Sequence, residues 1–219
     1  MATRQVLADL IADYERSSGD TARLESVGGV DAARRVQAGE AFDVVVLAAK
    51  AIDDLMGTGH ALAGSRTDLV HSGVAVAVRA GAPAPDIATE AGLRDAVLQA
   101  GSVGYSTGPS GVALLALFDR WGVTEQIRDR IRQAPPGHPV AQMVAQGEVS
   151  LGFQQLSEML NVQGIRIVGP LPAKVQIITT FSAAITNTCA DASRAQALID
   201  FMARPQAAVL KERQGMQAA

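Results

Sequence analysis

The segment Tyr105-Ser106-Thr107-Gly108-Pro109-Ser110-Gly111 places three small hydroxyl side chains, those of Ser106, Thr107 and Ser110, between an apolar stretch and a helical one. Ser110 stands where an N-cap belongs, with Gly111 and Val112 opening the helix. The first N–H groups of such a helix have no partner inside it and carry the positive end of its dipole. Hydroxyls and free N–H groups at the carboxyl end of a strand suit an oxyanion or carboxylate without a formal cation. The same residues equally suit an ordinary capped strand-to-helix turn. No Lys follows the glycine, so this is not a Walker loop. The glycine pattern is also wrong for a dinucleotide fingerprint, and no acidic residue follows in register.

Three further segments belong with it. Gly28-Gly29-Val30-Asp31 opens a helix in the same manner, although Gly before a helix is common. Pro135-Pro136-Gly137-His138-Pro139-Val140 sets His138 and Pro139 at another helix start, where a His either lines a cleft or caps in solvent. Gln154-Gln155 ends an apolar strand, and strand alternation predicts one amide inward and one outward. A buried amide has several hydrogen-bond positions to fill, which makes Gln155 a ligand candidate.

Other chemistry is poorly supported. The three histidines, His60, His71 and His138, lack metal-ligand spacing, so no metal site and no cofactor are expected. The lone Cys189 lies in a polar run and reads as an inert thiol. Asp43, Glu148 and Glu158 are too dispersed for a catalytic pair, and no catalytic residue is assigned.

The elements that must position these residues alternate between helix and strand. Helices are expected over 3–17, 31–38, 50–57, 90–99, 111–121, 140–146, 193–203 and from 205 onward. Strands are expected over 24–27, 42–47, 73–79, 102–105, 149–154, 164–168 and 175–185. The continuous apolar run Phe42–Leu47 predicts a parallel strand covered on both faces. Gly81-Ala82-Pro83-Ala84-Pro85 is the strongest break in the chain. Two α/β lobes follow, the second inserted into the first: 1–80 and 177–219 form lobe one, 81–176 lobe two.

The 219 residues are 48% hydrophobic with a net charge of −3, enough for a full core. Scattered Lys and Arg argue against a nucleic-acid surface. No apolar run reaches the roughly 20 residues of a membrane span, so no membrane insertion is expected. Arg4, Asp9, Asp13 and Glu15 interrupt any leader-like run, so the chain as written would stay in the cytoplasm; it would be periplasmic if the true start lies upstream.

The order of these segments, completed by Gln146-Gly147-Glu148-Val149-Ser150-Leu151-Gly152 and Ala203-Arg204-Pro205-Gln206-Ala207-Ala208, resembles the extracellular solute-binding proteins related to molybdate-binding proteins. The resemblance covers nearly the whole chain and implies a two-lobed type II periplasmic-binding-protein fold, α/β, each lobe a mixed sheet flanked by helices. That family begins with a strand and a Ser-containing loop, whereas this chain begins inside that loop, so the first strand of lobe one is expected to be missing. The implied contacts fall on Gly28-Gly29, Ser110, Pro139-Val140 and Gln155. At Gln155 the molybdate proteins usually carry a tyrosine, and that departure points to another anion such as an organic carboxylate. The implied function is capture of a small oxyanion or organic carboxylate in an inter-lobe cleft, with an ABC permease as a further partner. The rival is an isomerase of an unsaturated tricarboxylate such as aconitate, for which His138, Tyr105 and Glu158 are the candidate bases. A LysR-type effector domain shares the fold but lacks its helix-turn-helix here.

Overall fold

The computed structural model describes residues 2–135 and 137–219. The chain runs through α1 (Arg4–Ser18), α2 (Gly29–Gln37), β1 (Val44–Ala48), α3 (Ala49–Gly57) and the long β2 (Thr67–Arg79). It continues with α4 (Glu90–Gln99), β3 (Val103–Tyr105), α5 (Pro109–Arg120), α6 (Thr124–Ile127), β4 (Ile131–Gln133), α7 (Val140–Gln146), β5 (Leu151–Gln155) and β6 (Ile165–Pro170). The last elements are β7 (Ile178–Ile185), α8 (Ala192–Ala203), α9 (Ala208–Arg213) and β8 (Met216–Ala218). They form two compact units, residues 1–72 with 179–219, and residues 73–178.

The first unit is a sheet covered on both faces. Val6, Leu7 and Leu10 of α1 pack with Ala195, Ile199 and Met202 of α8 against Leu69, Val70, Ala183 and Ile185. Val36 of α2, Ile52 and Leu55 of α3 pack against Val45, Leu47 and Ala184, the opposite alternation of the same strands. This explains the unbroken apolar run of β1. Its direction differs from expectation, because β1 pairs antiparallel with β7, Val46 opposite Ala183. Burial on both faces is written in composition; strand direction is not. α1 stops at Gly19, whose left-handed φ of 77° closes the helix through its N–H to the Glu15 carbonyl. Tyr14 donates from its hydroxyl to Asp20 at 3.0 Å, and Arg194 of α8 reaches the same carboxylate.

The second unit is built on β6, β2, β5, β3 and β4. β2 pairs antiparallel with β5 and β6, while β3 lies parallel to β4 and β5. Val76, Val78, Phe153, Leu93, Val97, Leu114 and Phe118 form its main core with α4 and α5 on one face, and α7 covers the other.

Several expected elements differ. Residues 24–27 form no strand: Glu25 instead binds Arg35, itself bound to Glu40, and so ties this irregular loop to α2. Val175 closes a single 3₁₀ turn, and β7 begins only at Ile178. α6, β4 and β8 carry too few residues for periodicity to reveal them.

Candidate functional site

α5 begins two residues earlier than its hydroxyls suggest. Pro109 takes the first helical position, where its fixed φ fits and its missing N–H costs nothing, so Gly108 is the N-cap. Ser110 therefore lies inside the first turn and makes no cap. Its side chain is buried and its hydroxyl sits 3.1 Å from that of Ser106. Gly111 is required here, because any Cβ would overlap the Ser106 carbonyl oxygen and crowd Tyr105 Cδ2 at 3.2 Å. The first turn thus rests directly on the loop backbone. The N–H groups of Gly111 and Val112 both donate to the Gly108 carbonyl, at 2.9 and 3.3 Å. Those of Thr107, Gly108 and Ser110 donate to no described residue. No acidic side chain stands in this first turn, and Thr107 is exposed.

α7 is brought to the same carboxyl edge of the sheet by two glycines. Gly104 of β3 and Gly152 of β5 stand opposite each other. A Cβ on Gly104 would lie 2.8 Å from Val149 Cγ2 and 3.0 Å from Val140 Cγ1, and one on Gly152 would overlap Val144. With both side chains absent, α7 lies flat on the strands. Gln154 then reaches its first turn, where Oε1 accepts the Ala141 N–H at 2.9 Å. Gln154 and Gln155 are both buried, because β5 is covered on both faces; the expected in-and-out alternation does not hold. The His138 N–H donates to the Pro135 carbonyl, whereas that of Val140 donates to no described residue. His138 and Pro139 are half-exposed, and Pro136 lies outside the described residues.

Beyond β5, Leu156–Glu158 form one 3₁₀ turn. Burial pushes the Glu158 carboxyl above the usual glutamate range, partly offset by a hydrogen bond from Gln154. The neighbouring Ser157 hydroxyl is buried without a partner among the described residues. Residue types alone hide this Gln154–Glu158 pairing; the four-residue spacing across a strand end is its only trace.

In the first unit, Gly28 caps α2 and Gly29 opens it. Neither glycine has a positive φ, so the backbone does not demand them; they leave the turn bare. This helix start differs electrically from that of α5. Asp31 stands in its first turn, its carboxylate within 3.6 Å of where a Gly28 Cβ would be, and pairs with Arg34 at 3.3 Å. A resident carboxylate there competes with any external anion. Ser106, Thr107, Ser110, Gly111, His138, Pro139, Val140 and Gln155 thus share the carboxyl edge of β3 and β5, while Gly28 and Gly29 belong to the other unit.

The remaining candidates have structural roles. His60 and His71 hydrogen-bond Thr58 and Thr180 through Nδ1. Burial raises the Cys189 thiol, which keeps it protonated and unreactive. Among the described residues no cluster of His, Cys, Asp or Glu could hold a metal, and no helix is long and apolar enough to cross a membrane.

The bacterial extracellular solute-binding protein family matches residues 1–217. An aconitate isomerase from Pseudomonas sp. is 38% identical over 210 residues, spanning 93% of this chain and 80% of that protein. Among solved structures, the Azotobacter vinelandii periplasmic molybdate-binding protein superposes with a TM-score of 0.80 at 21% identity, over 98% of this chain and 94% of its own. The substrate-binding domain of a protein assigned as a Clostridium difficile molybdenum ABC transporter gives 0.77 at 13%, over 100% and 95%. Such low identities speak to the fold, which is that of the two-lobed type II periplasmic binding proteins. Residue chemistry, fold and sequence likeness converge: this chain is a member of the bacterial extracellular solute-binding protein family.

Proposed function

We propose that the chain binds a small oxyanion or organic carboxylate at the carboxyl edge of β3 and β5. The observation that carries this reading is the first turn of α5: open N–H groups, two hydroxyls in contact and no acidic side chain. Hydrogen bonds to a charged ligand contribute about 1.5–3 kcal/mol each, so a few of them support micromolar affinity without Lys or Arg. The Gly28-Gly29 helix start of the other unit is the poorer anion-binding candidate by itself, because Asp31 already answers that dipole. In this reading the protein delivers its ligand to an ABC permease. A thermal-shift screen of molybdate, tungstate, and di- and tricarboxylates tests it, since a ligand at about 100 times its Kd adds roughly 2.7 kcal/mol of stability. Ser110→Ala should then weaken binding of the identified anion roughly tenfold with the fold unchanged; equal affinity by calorimetry places the anion elsewhere.

A second reading is favoured by the 38% identity to the aconitate isomerase. Here the same donors hold a tricarboxylate while a protein group moves a proton. Incubation with cis- or trans-aconitate, followed by NMR, separates binder from isomerase.

A further inference from the structure

We infer that Glu158 is the proton-transferring group of this site and acts on a tricarboxylate held at the carboxyl edge of β3 and β5. The inference rests on the isomerase reading above. Three bases were conceivable from the sequence: His138, Tyr105 and Glu158. The geometry separates them. His138 is half-exposed on a turn, and no side-chain partner among the described residues fixes its ring. Tyr105 lies on β3, where its ring faces Gly111 and packs on the main core. Glu158 instead shares Gln154 with the first turn of α7. One end of that buried amide accepts the Ala141 N–H, and the amide also hydrogen-bonds the Glu158 carboxylate. The Glu158 carboxylate thereby shares one partner with the first turn of α7, whose Val140 N–H donates to no described residue, and it follows directly on Ser157, whose hydroxyl is buried.

A site for allylic proton transfer needs donors for the carboxylates that stay anionic and one base for the carbon acid. Burial raises the Glu158 carboxyl, which makes its anion a stronger base than an exposed glutamate. The chemistry balances with this one group. The Glu158 carboxylate takes a proton from the methylene carbon of propene-1,2,3-tricarboxylate, and the C–H pair forms a new double bond to the central carbon. The former double-bond pair moves to the other terminal carbon, where the adjacent carboxylate stabilises it. The protonated Glu158 returns its proton to that carbon. Both termini carry a carboxylate, so the product has the same connectivity with the double bond free to take either geometry. No oxidant, reductant or co-reactant enters.

The test uses the full chain with cis- and trans-aconitate in D2O, followed by NMR for isomerisation and deuterium uptake, with calorimetry for binding. Wild type should isomerise and exchange, Glu158→Gln should lose at least about a hundredfold in kcat while its Kd changes less than severalfold, and Glu158→Asp should recover part of the rate. Wild-type turnover that Glu158→Gln and Glu158→Asp leave intact overturns Glu158 while the isomerase reading stands. Wild type that binds aconitate without turnover or exchange overturns both. If Glu158→Gln does not fold, Glu158→Asp decides alone, since shortening the base must lower kcat and deuterium uptake together.

Discussion

At the scale of single residues, the molecule is most exacting where a side chain is missing or has no counterpart. Gly111→Ala should cost at least about 2 kcal/mol and weaken anion binding, since the new methyl overlaps the Ser106 carbonyl, a backbone group that cannot turn aside; thermal melts and calorimetry report both. Lys211 is the opposite case, a cation buried in α9 at 1% exposure. Desolvation lowers its pKa from 10.5, so the folded state disfavours the charged form. The unfolded chain binds the proton more readily between the folded value and 10.5, so this group makes stability rise with pH across that window and leaves a constant penalty below it. Lys211→Met should raise stability by about 1 kcal/mol or more at neutral pH and flatten that alkaline rise, measured by denaturation at several pH values. The position of the hydroxyl-rich loop between a strand and a helix was legible from residue type. Gln154 was not, because its role depends on a helix that only tertiary packing brings near.

At the scale of elements, the carboxyl edge of β3 and β5 depends on how closely α7 approaches the sheet. Gln154→Leu should leave the Ala141 N–H without its partner and cost about 1–3 kcal/mol, while Gly152→Ala should drive α7 off the strands against Val144. Both predictions are checked by urea denaturation, and the first should also slow any turnover by releasing Glu158. The helices of this chain were legible because α1, α4, α5 and α8 carry clear apolar periods and stop signals. Strand direction, the 3₁₀ turns and the short β4 and β8 were not, since pairing partners far along the chain decide them. The N-cap of α5 falls on Gly108 and not on Ser110 because one rule overrides another: a serine is a good cap, but proline at the first helical position is a stronger constraint.

At the scale of the whole molecule, β2 serves both units. Val70–Ser72 pair with β8 in one, and Val74–Arg79 pair with β5 and β6 in the other. The strand is covalently continuous through both, and a single unfolding transition of the full chain is the expected outcome. The single Trp121, packed on Phe118 and hydrogen-bonded to Glu90, reports on the second unit only. Its fluorescence transition in denaturant should coincide with the far-UV circular dichroism transition of the full chain. Two separated midpoints would mean that the shared strand does not couple them.

The same interleaving sets an order of birth. Residues 73–178 are contiguous, so the second unit can close as soon as it leaves the ribosome. The first unit cannot, because β1 waits for β7, translated more than a hundred residues later, and the start of β2 waits for β8, which follows later still. Until then α1, α2 and β1 keep apolar surface uncovered, a nascent segment that invites a chaperone. A ribosome-stalled chain of residues 1–178, followed by a linker long enough to clear the exit tunnel, should therefore resist protease across residues 73–178 while its first seventy residues are cut.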